Sequence, residues 1–150
     1  MNLFPFNIET SVGFLLAKAH QRMFAWFREE LAPYGVTPPQ FALLAFLAKE
    51  DGISQTTLVE KSEIDRTTLG GLIDRLEQTG MVRRESDPHD RRAYLVYLTD
   101  DGRRLIPELI TISLRARQCF MAKLSSDEYA TLCTLLDKVR SCDIHKERKS

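Results

Sequence analysis

Apolar residues recur at intervals of three and four along most of this chain, a spacing that predicts a mainly helical protein. The first such stretch predicts one long helix over 8–34, which Pro33 and Gly35 would end. Further helices are predicted over 37–49, 54–61, 66–78, 99–123 and 125–143. Each of these follows or begins at a residue that can cap a helix, namely Thr37, Ser54, Asp65, Thr99 and Ser125.

The apolar positions in residues 81–98 follow a different periodicity. Between Ala93 and Leu98 the large side chains alternate between two faces, which is the period-two pattern of a β-strand. Met81 to Ser86 is the candidate partner strand, and the six residues from Asp87 to Arg92 join the two strands. The pattern predicts a hairpin directly after two short helices that only residues 62–64 separate.

Two short helices with so tight a joint, followed by a hairpin, are typical of a winged helix-turn-helix. The predicted fold class is therefore mainly α with a small antiparallel β-hairpin wing, in one domain over 1–150. Residues 37–98 form the winged lobe, and the long helices at 8–34 and 99–143 flank it. Because a helix over 8–34 is long for a small domain, part of it is expected to pack on another subunit.

The helix over 66–78 has one apolar stripe, and its opposite side is polar or lacks a side chain. Helices that read DNA contact bases mainly with their first turns. This nominates Arg66, Thr67, Thr68 and Gly71, with Arg75 further along as a phosphate contact. An ordinary solvated helix face explains this helix alone equally well. Each glycine at 70–71 costs a helix about 1 kcal/mol relative to alanine, so close approach of DNA or of a neighbouring helix is expected there.

The predicted hairpin has a basic tip, with Arg91 and Arg92 at its end and Arg84 on the strand that leads to it. An aspartate two positions before an arginine can orient the guanidinium across a turn, which assigns that role to Asp90. An arginine held in this way suits a narrow minor groove, where the negative potential is enhanced. A solvated turn with a weak surface ion pair is the alternative.

The starts of helices are a second source of phosphate contacts, because their main-chain N–H groups have no partner within the helix. The residues nominated in this way are Thr37, Ser54, Gln55 and Thr56. Helix capping alone also accounts for these residue types, and one residue can serve both roles.

Composition narrows the classes of function. The 21 basic and 21 acidic side chains cancel, which argues against a protein that coats nucleic acid by bulk attraction but not against a local basic patch. No apolar run approaches the ~20 residues of a membrane span, and Met1 to Glu9 lacks a signal-peptide pattern. We therefore expect a cytoplasmic protein without a membrane partner.

The sequence offers little to an enzyme or a metalloprotein. It contains no nucleophile–base pair, no phosphate-binding glycine loop and no metal-ligand spacing, so neither catalysis nor a bound cofactor is expected. The three cysteines, Cys119, Cys133 and Cys142, form no CxxC pair and do not suggest a disulfide framework.

Taken together, these motifs resemble those of the MarR-type winged-helix transcriptional regulators. The resemblance runs from about Gly35 through Gly102. It is carried by the segments Val36 to Leu44, Leu76 to Arg84, Asp87 to Ala93 and Val96 to Gly102. The two glycines at 70–71 depart from the family, which more often has larger polar side chains there.

The resemblance implies a homodimer whose interface is built from helices in 8–34 and 99–143. It implies binding to pseudo-palindromic double-stranded operator DNA, usually as a repressor. Carried onto this chain, it implies that Asp90 braces the wing and that Arg92 enters the minor groove.

Many members of the family release DNA when a small, often aromatic acid binds between the dimer helices and the winged lobe. The candidate ligand residues here are His20, Arg22, Met23, Phe24, Phe27, Phe41 and Phe46. A cationic His20 or Arg22 would meet the carboxylate, whereas the apolar candidates are more readily explained as core. Two other functions stay open: a winged-helix protein-interaction module, and a thiol-based redox regulator that uses Cys119 and Cys133.

Overall fold

A computed structural model of the chain describes residues 6–142. Its helices are α1 (Val12–Leu31), α2 (Pro38–Lys49), α3 (Gln55–Ser62), α4 (Arg66–Gln78), α5 (Asp100–Met121) and α6 (Ser126–Arg140). Its strands are β1 (Ile53–Ser54), β2 (Val82–Asp87) and β3 (Asp90–Leu98), which form one antiparallel sheet in the order β1-β3-β2. The predicted winged helix-turn-helix, mainly α with a small hairpin, is confirmed. The last residue of the helix predicted over 125–143 lies outside the described residues.

The first helix is shorter than the sequence predicted. Ser11 is in an extended conformation, so α1 begins only after it, and residues Ile8–Thr10 form a separate 3-10 turn. At the other end α1 gives way to a second 3-10 turn, Ala32–Tyr34, which Gly35 closes at a left-handed φ of 67°. Pro33 and Gly35 therefore end this segment as predicted, but the single helix over 8–34 was wrong in its extent.

The predicted caps of the winged lobe are present. The Thr37 hydroxyl accepts a hydrogen bond from the Gln40 N–H at 3.4 Å, and the buried Gln40 side chain accepts one from the Thr37 N–H at 2.9 Å. Ser54 caps α3 and Asp65 caps α4 in the same extended backbone conformation. These caps satisfy N–H groups that a helix start leaves without partners, and they fix where each helix begins.

The hairpin turn is tighter than predicted. The six-residue connection from Asp87 to Arg92 was wrong, because Asp87 already pairs with Asp90 and only Pro88 and His89 join the strands. The sheet also contains β1, whose residues pair with the middle of β3. A strand of two residues is too short to produce a period-two pattern, so the sequence did not reveal it.

The core of the winged lobe centres on α2, whose sequence from Phe41 to Leu47 is entirely apolar. Leu43, Leu44 and Leu47 of α2 are buried together with residues of the other elements. Those residues are Leu31, Val36, Ile53, Leu58, Leu69, Ile73, Leu76, Val82, Val96, Leu98, Ile106, Leu109 and Ile112. The burial fixes α3, α4 and the hairpin around one centre, which sets the surface that they present to solvent.

The chain divides into two compact units, one up to Leu114 and one from Arg115 onward, with α5 crossing the division. In the second unit α6 begins with the predicted capping box, formed by Ser125 and Glu128. One domain over 1–150 stays a prediction. Within residues 6–142 no helix has the length and apolarity to span a membrane.

Candidate nucleic-acid interface

Helix α4 turns its predicted DNA-reading residues toward solvent. Leu69, Ile73 and Leu76 anchor it in the core, and the Asp65 carboxylate accepts the Thr68 N–H at 3.0 Å at its start. The nominated residues are all exposed: Arg66, Thr67, Thr68, Gly71 and Arg75. The structure thus leaves this face of α4 available, although their contacts with DNA stay predictions.

Within residues 6–142, packing does not require the two glycines of α4. A Cβ at Gly71 would meet no atom within 4 Å, and one at Gly70 would meet only the Gln55 amide nitrogen at 3.5 Å, an ordinary contact. Close packing on a neighbouring helix therefore does not explain Gly71. Close approach of DNA to the backbone is the explanation that is left from the sequence.

The starts of α3 and α4 meet at one point. The Arg66 guanidinium donates a hydrogen bond to the Thr56 hydroxyl at 3.3 Å. Ser54 is engaged as a cap, since its hydroxyl accepts the Thr57 N–H at 3.0 Å. Thr56 and Arg66 consequently present a hydroxyl and a cation side by side, which suits a phosphate oxygen.

An open groove of about 820 Å³ lies between α4, the start of α3 and the wing. We call it the helix–wing groove. Its lining residues are Gln55, Thr56, Arg66, Gly70, Asp74, Glu77, Arg84, Asp90, Arg92, Ala93 and Tyr94. Six of the predicted DNA contacts are brought together there. The other seven are not among the lining residues, namely Thr37, Ser54, Thr67, Thr68, Gly71, Arg75 and Arg91.

The wing tip is held by its two aspartates. The Asp87 carboxylate accepts the His89 N–H at 2.8 Å, and the Asp90 carboxylate accepts the Arg92 N–H at 3.0 Å. Asp90 thus braces the main chain of the tip. The guanidinium contact expected for Asp90 is replaced by this main-chain bond, because a short side chain in a tight turn reaches the N–H two residues on. The Arg91 and Arg92 side chains are exposed.

Arg84 differs from the other nominated arginines. Its side chain is only 17% exposed and forms ion pairs with Asp74 at 2.6 Å and Glu77 at 2.8 Å. The two acids lie one turn apart on α4, so the guanidinium joins β2 to that helix. Sequence reasoning did not find these partners. The available signal was the pair of acids at i and i+3 on the polar side of a helix predicted to read DNA.

Four of the seven candidate ligand residues form two aromatic pairs on α1 and α2. Phe27 of α1 and Phe41 of α2 meet edge to face, with ring centres 5.2 Å apart. His20 and Phe24 lie 5.5 Å apart on α1. Met23 and Phe46 are half-buried, as are Phe24, Phe27 and Phe41, whereas His20 and Arg22 are exposed. Whether they form a ligand site stays a prediction.

The remaining candidate functional groups are the cysteines and possible metal ligands. All three cysteines are exposed and carry free thiols. In the described part of the chain, no three or more His, Cys, Asp or Glu side chains cluster in a way that would hold a metal ion. The thiol-based alternative therefore rests on exposure alone.

Comparison with known proteins agrees with the geometry. Residues 34–93 match the model of the MarR family. The chain is 31% identical over 139 residues to the HTH-type transcriptional repressor NicR of Pseudomonas putida, covering 93% of this chain and 88% of that protein. It is 34% identical over 104 residues to the transcriptional regulator HosA of Escherichia coli O111:H-, covering 69% of this chain and 77% of HosA.

Two solved structures are similar to it. BpsR of Bordetella bronchiseptica, whose DNA binding is regulated by 6-hydroxynicotinic acid, has a TM-score of 0.88 and 32% identity, over 93% of this chain and 100% of BpsR. A cysteine-to-serine mutant of E. coli MarR, complexed with operator DNA, has a TM-score of 0.82 and 30% identity. That match covers 91% of this chain and 98% of MarR.

Proposed function

The chain belongs to the MarR family of transcriptional regulators, and from this premise we propose that it represses genes as a homodimer on a pseudo-palindromic operator. It is a DNA-binding regulator and not an enzyme. The observation that supports the proposal most strongly is the helix–wing groove, which places an exposed helix start and an exposed arginine tip on two sides of one concave surface. The major groove of a duplex can receive the helix start, and its minor groove can receive the arginine tip.

Local charge explains how a chain of zero net charge binds DNA. Asp74 and Glu77 would repel phosphates from this surface, but Arg84 pairs with both and offsets one of their two negative charges. Arg66, Arg75, Arg91 and Arg92 are exposed on the same lobe. Their positive charge is then available to phosphates and to the minor groove, so binding is expected to weaken steeply with salt.

Apolar surface on the flanking helices supports a homodimer. At the start of α1, Val12 is 71% exposed and Leu15 is 54% exposed. In the second unit, Leu135 and Val139 of α6 are 52% and 59% exposed. Exposed apolar side chains spaced three or four positions apart on a helix typically mark a protein interface. A second copy of the chain is the partner that the family's operator binding by paired half-sites requires.

The aromatic pairs and the regulation of BpsR support a proposal for the class of effector. We propose that a small aromatic acid binds near Phe27, Phe41 and Phe24, with His20 or Arg22 meeting its carboxylate. The rings offer stacking surfaces, and two titratable or cationic groups lie on the same helix. The ligand would favour a dimer whose two winged lobes have the wrong separation for the operator.

Fluorescence anisotropy with a labelled duplex from upstream of the protein's own gene tests both parts. The proposal predicts salt-dependent binding, with half-site centres about 10 base pairs apart in a footprint. Hydroxylated aromatic acids such as 6-hydroxynicotinic acid are expected to weaken binding, whereas the matched amides are not. Binding that is equally tight to a scrambled duplex would contradict operator recognition, and release by the amides would contradict the carboxylate contact.

A further inference from the structure

Arg84 makes contacts that span two elements of the winged lobe. From β2 its Nη1 donates to Glu77 Oε2 at 2.8 Å, and its Nη2 lies 2.6 Å from Asp74 Oδ1 and 3.4 Å from the Gly70 carbonyl oxygen. Its main-chain N–H also donates to Glu77, at 3.1 Å to Oε1. Since β2 is an edge strand of the sheet, this last bond satisfies a donor that the neighbouring strand leaves open.

We propose that Arg84 is a positioning residue that sets the distance between α4 and the wing, and that it acts on DNA only through that distance. The inference rests on the proposed function, because it concerns how the two sides of the helix–wing groove engage one duplex. Asp74 and Glu77 are then part of the reading surface although they carry the wrong charge for phosphate.

The geometry separates Arg84 from a phosphate contact. Its planar guanidinium is occupied on two edges by carboxylates, and its side chain is mostly buried. By contrast, Arg75 is exposed, and among residues 6–142 the structure gives its side chain no ion pair. A phosphate contact releases counterions and contributes to the salt dependence of binding, whereas a residue already paired within the protein does not.

Rigid spacing matters because the two grooves of a duplex are read together. The wing and α4 are separate elements, and Arg84 joins them through Asp74 and Glu77, all of which line the groove. Several charges that share one mostly buried guanidinium hold a geometry better than an isolated surface pair. Loss of the cluster would let the wing tip shift relative to the helix.

Neutralising Glu77 distinguishes an effect of charge alone from a positioning role of Arg84, because the two predict opposite changes in operator affinity. Glu77→Gln removes a negative charge from the DNA-facing side and keeps an amide oxygen that can accept the Arg84 N–H. If only charge matters, this variant binds every duplex more tightly. If Arg84 positions the wing, operator affinity falls by about tenfold while affinity for a scrambled duplex stays level or rises, so the specificity ratio falls.

The matched control is Glu60→Gln, which neutralises an exposed acid of α3 that is not part of the Arg84 cluster. It is expected to leave the specificity ratio unchanged.

A second variant, Arg84→Lys, keeps the positive charge but loses the two-edged guanidinium, so it is expected to weaken operator binding about as much as Glu77→Gln without changing the salt slope. Thermal melts establish that each variant is folded at the assay temperature.

Three results overturn the inference: tighter operator binding by Glu77→Gln, full affinity of Arg84→Lys, or a salt slope that falls by about 1 in Arg84→Gln, as for a phosphate contact. These outcomes are distinct from failure of the proposed function. That failure would show in the wild-type protein, as an absence of salt-dependent operator binding.

Discussion

Gly102 of α5 lies directly against the main-chain carbonyl of Met81, where the chain enters the wing, and a Cβ on Gly102 would collide with that oxygen. The same junction is tied by Thr99, whose hydroxyl accepts the Gly102 N–H at 3.0 Å and donates to the Gly80 carbonyl at 2.5 Å. The start of the wing and the start of α5 are therefore fixed to each other by backbone groups.

Gly102→Ala is expected to lower the free energy of unfolding by about 1–3 kcal/mol, as overpacking of a close contact does. Alanine in place of glycine would otherwise stabilise a helix by up to about 1 kcal/mol, so the sign of the change reports the contact with Met81. Urea unfolding followed by circular dichroism measures it. A gain in stability would show that the junction relaxes freely.

Gly71→Ala is expected to separate stability from DNA binding. Because a Cβ there meets open space, the substitution should raise the free energy of unfolding by up to about 1 kcal/mol. If DNA approaches the backbone of α4 at this position, the same variant binds the operator more weakly despite being more stable. Unchanged operator affinity would show that the glycine has no part in recognition.

Arg92→Ala and Arg75→Ala are expected to weaken binding in different ways. Loss of Arg92 removes the proposed minor-groove contact of the wing and should lower affinity for every operator variant. Loss of Arg75, if it contacts phosphate, should lower the slope of log K against log salt by about 1. Anisotropy titrations at several salt concentrations measure both. Wild-type affinity of the Arg92 variant would reject the predicted role of the wing tip.

The cap of α4 makes stability depend on pH. Hydrogen bonds from the Thr68 side chain and N–H lower the pKa of the Asp65 carboxyl below its ordinary value of 3.8. The stabilisation is therefore present above that ordinary value and is lost as pH falls through the lowered pKa in the folded protein. Wild type is expected to exceed Asp65→Asn in stability at pH 7, with the difference narrowing below pH 4, in urea unfolding at both pH values. A difference that grows toward acid would contradict this sign.

Local signals explain what the sequence could predict. The caps at Thr37, Ser54 and Asp65 are determined by residues within four positions of each helix start, and they were placed correctly. The extent of α1 was missed because its apolar spacing continues through Ser11, whose extended backbone interrupts the helix. Periodicity does not register a change in the conformation of one residue.

Tertiary contacts explain the features that the sequence could not predict. The ion pairs of Arg84 join residues 7 and 10 positions away on another element, and no local spacing relates them. The hairpin register that shortens the turn depends on pairing between Asp87 and Asp90 after an irregularity at Ser86. Because Arg84 lies near a basic tip in the sequence, it was predicted to contact DNA. Its position against α4 instead supports a role in setting the distance between that helix and the wing.

The central claim is that two copies of the chain bind one duplex through their helices and wings. Sedimentation velocity of the protein with the footprinted duplex tests it directly, because the 17.2 kDa chain gives distinct masses for one and two copies. The account predicts a complex of two chains per operator duplex, lost at high salt and not formed with a scrambled duplex. A complex with one chain per duplex, or the same complex on both duplexes, would contradict it.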